Sequence, residues 1–277
     1  MTEQLQKGTA YRESGRWNPN YLIRFFGLGA GAGLVLGAIY SIFTFYNPFP
    51  YFSVVGTLLL AKALGMAVKE ASKAAHVRSR WVRFAGGLLT GLSAEYAAWV
   101  IVIRLLFPPE VPTILNPLEF GSALQQIAEA GYYSLGTIDV RGNILWGFWG
   151  IEFAIVVVGT ALSSFSAYGV YSEASGGWCT EERDVVRLRG NEYGFLKKLG
   201  EQRYGGLMDN VEFVAEGVYP YIRVDLFVPP KEHAAHYLSA VLMSRTDDGK
   251  DIETELLEPI EVPSRVVMDV RSRAAPA

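Results

Sequence analysis

The stretch GTLLLAKALGMAV, residues 56–68, holds one charged side chain, Lys62, inside an otherwise apolar run. Runs of this kind decide the fold class. A hydrocarbon layer about 30 Å thick is crossed by about 20 apolar residues of helix. Four segments reach that length: residues 25–45, 50–68, 84–107 and 144–165. The first follows the polar residues 1–20, is long for the core of a signal peptide and lacks a small-x-small cleavage pattern, so it reads as a retained span.

The composition agrees only on average. Of 277 residues, 50% are hydrophobic and 19% charged, but residues 21–165 carry the apolar runs and residues 172–277 are ordinary polar sequence. A net charge of −3 offers no basic face for nucleic acid. The single cysteine, Cys179, permits no internal disulfide.

Lysine and arginine set the orientation of such spans, concentrating in cytoplasmic loops. The N-terminal tail holds Lys7, Arg12, Arg16 and Arg24, and the connection between spans two and three holds Lys69, Lys73, Arg78, Arg80 and Arg83. The opposite connections hold only Arg141. Both termini are therefore expected in the cytoplasm, with residues 108–143 outside.

Span one begins GLGAGAGLVLG, residues 27–37. A G-x-G-x-x-A match is present, but a nucleotide fingerprint needs a preceding strand and an acidic residue some way beyond, and neither is there. Gly27, Gly29, Gly31, Gly33 and Gly37, with Gly87 and Gly91 of span three, instead read as close helix packing. Asn47-Pro48-Phe49-Pro50 forms a tight turn among aromatics that suit an interfacial belt. In the longer outer connection, Asn116, Pro117 and Glu119 read as N-cap, first helical position and capping glutamate. Phe120, Leu124 and Ile127 follow at helical spacing, and Gly131 ends the short helix.

Beyond Phe165 the periodicity changes. Residues 191–204 suit a helix, and YIRVDLFV (221–228) alternates with Ile222, Val224, Leu226 and Val228 on one face. VEFVAEGV (211–218), YLSAVLMS (237–244), DIETELL (251–257) and SRVVMDV (264–270) read as further strands, with Asp247-Asp248-Gly249 as a turn. His233 and His236 are three apart but lack the further ligands a metal site needs, and read as a surface loop. Cys179 has no base beside it in sequence and reads as an inert thiol. No catalytic motif, metal site or cofactor site is recognisable.

Lys62, Glu95 and Glu152 each lie within about 5 Å of the midplane of their span at 1.5 Å rise per residue. A charge there costs about 2.5–3.5 kcal/mol on insertion scales. Their common depth predicts an intramembrane charge cluster. Three readings follow: a structural ion pair, a Lys62 that snorkels to the inner surface, or an ion or proton path lined by the glutamates.

SIFTFYNPFPYF (41–52), HVRSRWVRF (76–84) and GTIDVRGNILWGFWGIEF (136–153) together resemble a family of bacterial four-span integral membrane proteins with no assigned activity. The resemblance covers residues 20–165 and implies a bacterial inner-membrane location. The expected architecture is an α-helical membrane bundle of four transmembrane helices plus a small C-terminal cytoplasmic α+β domain with a mainly antiparallel sheet. Its divisions are a tail at 1–20, the bundle at 21–168 and the domain at 169–277. The expected role is non-enzymatic, structural or interactive. The alternative is a small transporter or ion-conducting component using the buried carboxylates. The expected partners are the lipid bilayer and a second copy or another membrane protein.

Overall fold

The computed structural model describes residues 10–273 apart from 48, 49, 109, 111, 132, 136, 137, 167, 168, 232 and 233. Pro48, Phe49 and His233 thus lie outside the described residues. The chain divides into two units, one formed by residues 14–168 and the other by residues 1–13 together with 169–277.

The first unit is helical. α1 (Pro19–Tyr46) starts where Asn18 accepts a hydrogen bond from the Asn20 N–H at 3.0 Å, with Pro19 in its first turn. α2 (Pro50–Ala74) and α3 (Arg80–Leu106) follow, the latter capped by Ser79. α4 (Pro117–Ala130) is capped by Asn116, whose Oδ1 accepts from the Leu118 N–H at 3.1 Å; Glu119 accepts from the Asn116 side-chain amide rather than from its backbone N–H, and Gly131, at φ 89°, ends the helix. A short hairpin pairs β1 (Tyr133–Leu135) with β2 (Ile138–Val140). α5 (Asn143–Phe165) completes the unit. α1, α2, α3 and α5 are each long and apolar enough to cross a membrane.

These four helices pack α1 on α3, α3 on α5, and α2 against both α1 and α5. Gly29, Gly33 and Gly37 recur every four residues and lie on Thr90, Ser93 and Ala94 of α3. Gly87 and Gly91 lie on Ala161 and Val157 of α5, where an added Cβ would come within 2.7 and 2.8 Å of backbone. Gly27 and Gly31 take no part in this packing. They sit two residues off the stripe, about 200° round the helix at 3.6 residues per turn, and an added Cβ would meet nothing within 4 Å.

The second unit is built on a four-stranded antiparallel sheet. A two-residue hairpin of β3 (Tyr171–Ser172) and β4 (Gly177–Trp178) precedes β5 (Thr180–Arg189). Then come α6 (Tyr193–Gly200), β6 (Tyr221–Val228), β7 (His236–Arg245), β8 (Asp251–Val262) and α7 (Ser264–Arg273). The strands lie in chain order, β5-β6-β7-β8. One face carries Leu188, Ile222, Val224, Leu226, Leu238 and Ile260 against α6 and α7.

Two strand readings are corrected here. Residues 264–270 are helix, because Val266, Val267 and Val270 recur at helical spacing and bury one stripe on the sheet. Tertiary burial overrides the strand preference of valine. Residues 211–218 form a loop touching the sheet by one bridge, Phe213 to Leu188. Conversely β5 escapes pattern reading, because charges crowd its outer half and a bulge between Glu182 and Val186 breaks the alternation.

Two residues ahead of the helices also join the sheet. Ala10 bridges Ile260, and the Tyr11 N–H donates to the Pro259 carbonyl at 2.7 Å. Tyr11 rests edge-on against Tyr237 at 5.7 Å, and its hydroxyl accepts from the Tyr171 N–H. Ala10 and Tyr11 are thus a piece of the sheet unit.

Candidate functional site

One group of buried and half-buried polar side chains within the helical unit draws on all four long helices. α1 contributes Tyr40, α2 Thr57, α3 Glu95 and Trp99, and α5 Glu152. Each occupies the inward stripe of its helix. Tyr40 continues the Gly29–Gly33–Gly37 row, Glu95 follows Gly91 by four, and Glu152 precedes the buried Val156 by four.

The Tyr40 hydroxyl donates to the Glu152 carboxylate and lies 2.8 Å from the Thr57 hydroxyl. Thr57 in turn donates to the Ser53 carbonyl at 2.8 Å. Glu95, 8% exposed, lies one turn before Trp99 on α3 and within electrostatic reach of Glu152. Trp99 is held by an edge-on contact with Trp149 at 4.9 Å.

Lys62 does not join the glutamates. On α2 the buried stripe runs through Thr57, Leu60, Ala61, Leu64 and Val68, and Lys62 lies on the opposite face, exposed. Among the described residues it pairs with neither Glu95 nor Glu152. Depth along a helix was legible in the sequence; rotation about its axis was set by α1 and α5.

A buried cation does exist elsewhere. Arg83, 0% exposed, sends Nε to the Ser164 carbonyl at 3.3 Å and Nη2 to the Phe165 and Ser166 carbonyls at 3.4 and 3.3 Å. These are the acceptors a helix leaves unsatisfied at its C-terminus, where the macrodipole also favours a cation. In the sequence Arg83 is one basic residue among five in the connection. Only its position three residues into α3, facing α5, separates it from them.

In the sheet unit the Cys179 thiol is pushed up to about 11 by burial, which keeps it protonated at neutral pH. His236, read as a surface-loop residue, is buried at the head of β7 and pairs across to Val262. Its Nδ1 has no hydrogen-bond partner among the described residues. On the sheet face away from α6 and α7, Asp225 accepts from the Asp184 N–H at 2.8 Å and pairs with Arg223 at 3.0 Å, which reaches on to Glu253. Burial nevertheless holds the Asp225 carboxyl above its ordinary value. Among the described residues no three His, Cys, Asp or Glu side chains group as metal ligands would.

No protein-family model, no curated protein and no solved structure matches this chain.

Proposed function

We propose that the chain is a non-enzymatic, multi-pass protein of the bacterial inner membrane that presents its α+β unit to a partner at the cytoplasmic face. The observation that carries this reading is the division of the chain. Four apolar helices form one unit, and Ala10 and Tyr11, which precede them, pair in the other with the sheet that follows them. Four spans return the chain to its starting side, so both ends emerge from one side of the bundle. The basic residues gather at that end. There the Arg78 N–H donates to the Arg16 carbonyl at 3.0 Å, and Arg24, Lys69, Lys73 and Arg80 lie close in sequence to the same helix ends. By the positive-inside rule this end is cytoplasmic.

The test has two parts. A cysteine at Ser122, exposed on α4, is expected to react with an impermeant thiol reagent in intact cells, whereas Cys179 is not; the reverse pattern overturns the orientation. A photo-crosslinker at Glu253, on the sheet unit, is expected to yield a discrete protein adduct in native membranes. Its absence at this and neighbouring exposed positions overturns the interaction role.

The hydrogen-bond chain from Thr57 through Tyr40 to Glu152 favours a second reading, a proton- or ion-conducting component. Vesicles holding the protein and a pH-sensitive dye would then relax an imposed pH gradient, and Glu95→Gln or Glu152→Gln would stop the relaxation. Wild-type vesicles no leakier than empty ones rule this reading out.

A further inference from the structure

Lys62 is the midpoint of α2, 12 residues from Pro50 and 12 from Ala74. It is exposed, and its neighbours on the same face one and two turns away, Val55, Leu58, Leu59 and Met66, are exposed apolar side chains. A face like this, set in lipid, surrounds a cation with hydrocarbon. Side chains on a helix lean toward its N-terminus, here the Pro50 end, about 18 Å away at 1.5 Å per residue. The basic end of α2, with Lys69 and Lys73, is the nearer polar region, but it lies opposite to the general lean of helical side chains. Snorkelling to a headgroup is therefore poorly served in both directions.

Charge complementarity states what would cover this face. The groups that satisfy an ammonium within hydrocarbon are carboxylates. A second copy of the chain does not supply one. The acidic residues on the long helices are Glu70, Glu95 and Glu152. Glu70 sits at the basic end beside Lys73, Glu95 is buried, and Glu152 is engaged by Tyr40 inside the unit. A symmetric pairing of two α2 faces would in addition bring Lys62 toward its own counterpart.

We propose that the Lys62 face of α2 is a lateral docking surface for a transmembrane helix of a different protein, one that carries an aspartate or glutamate at matching depth. The inference rests on the membrane-spanning reading of α2. It extends that reading by naming a partner within the bilayer, distinct from any partner of the sheet unit.

The test uses the full chain in phosphatidylcholine vesicles, labelled at Ser122→Cys in a Cys179→Ser background. The probes are labelled, otherwise apolar transmembrane peptides with a single central Glu, a single central Gln, or the Glu moved to one end. Energy transfer is expected to show the central-Glu peptide binding about five- to tenfold more tightly than the Gln peptide, the scale of one interhelical polar contact. The preference is expected to vanish in Lys62→Met and to persist in Lys62→Arg; because the residue is exposed, both variants keep the fold. Equal binding of the Glu and Gln peptides, or a preference that survives Lys62→Met, overturns the proposal. Loss of the preference when phosphatidylglycerol is added assigns Lys62 to headgroups and overturns it as well. So does Lys62-dependent self-association of labelled copies. A chain that fails to enter vesicles at all, seen by flotation, overturns the membrane reading and this inference together.

Discussion

Tyr40 and Glu152, 112 positions apart in the chain, share a hydrogen bond that ties α1 to α5 across the interior of the helical unit. Each partner is inward-facing, so removing one strands the other. The variants Tyr40→Phe and Glu152→Gln are therefore expected to be non-additive, with a coupling of about 0.6 kcal/mol and at most about 1.7, the average and maximum for polar pairs between membrane helices. Unfolding of the singles and the double in lipid nanodiscs gives the coupling, and simple additivity refutes the link. Lys62→Met, on the opposite face of α2, is expected to show no coupling to Glu95→Gln or Glu152→Gln.

Arg83 closes the C-terminus of α5 through three carbonyls. Arg83→Met is expected to destabilise the helical unit by about 1.5–3 kcal/mol, the range for hydrogen bonds to a charged group. Arg83→Lys should recover only part of this, since a single ammonium lacks the spread fork of the guanidinium. The exposed Arg80 is the control. If Arg80→Met costs as much as Arg83→Met, the capping role is wrong.

The two glycine rows of α1 separate cleanly. Gly33→Ala and Gly37→Ala drive a methyl into the backbone of α3 and are expected to cost about 1–3 kcal/mol each, as overpacking does. Gly27→Ala and Gly31→Ala face open space and should be neutral or mildly stabilising through helix propensity. Nanodisc unfolding of the four variants checks this, and an equal response from both rows would contradict the packing.

Residues 169–277 contain the whole sheet and the cluster beneath it, and are expected to fold as a soluble unit with a cooperative thermal transition. Residues 1–13, appended through a flexible linker, should raise its midpoint, because Ala10 and Tyr11 extend the sheet. Tyr11→Ala should cancel the gain. A midpoint indifferent to the appended segment would mean that the pairing with Ile260 adds no stability.

The same soluble unit should lose stability on mild acidification. Burial first, then the nearby Arg271 guanidinium, hold the His236 imidazole below its ordinary value of 6.5, against the opposing pull of Glu182 and the Ala234 carbonyl. The unfolded chain then binds a proton that the folded one resists, so stability rises with pH across that interval. It is complete above about pH 6.5 and falls as the pH drops below that value. Thermal midpoints between pH 5 and 8 should show this dependence in the wild type and a flatter one in His236→Gln. Identical slopes would refute it.

How much of this was legible in advance differs by kind of feature. The α4 cap needs only Asn116 and Pro117 with their sequence neighbours Leu118 and Glu119, and it could be read directly. The strand β6 was equally plain, since Ile222, Val224 and Leu226 alternate without interruption. Residues 264–270 suit a strand by sequence and form a helix in the structure, because a valine-rich segment of seven residues fits either period. What decides is the surface it lies on.

The sequence by itself determined the four apolar helices, the depth of Lys62, Glu95 and Glu152 along them, and the change to a sheet-forming half. Those properties depend on length, composition and spacing within one segment. Only the tertiary structure decided which way each helix is turned. Gly29, Gly33 and Gly37 could approach α3 closely, and that contact aimed Tyr40 at Glu152 and left Gly27 and Gly31 on the outside. The packing of α2 by its Leu60–Leu64–Val68 stripe turned Lys62 outward, away from the carboxylates it matches in depth. Rotation about a helix axis is a property of the pair that packs, and an apolar run with nonpolar side chains on every face carries little periodicity from which to read it.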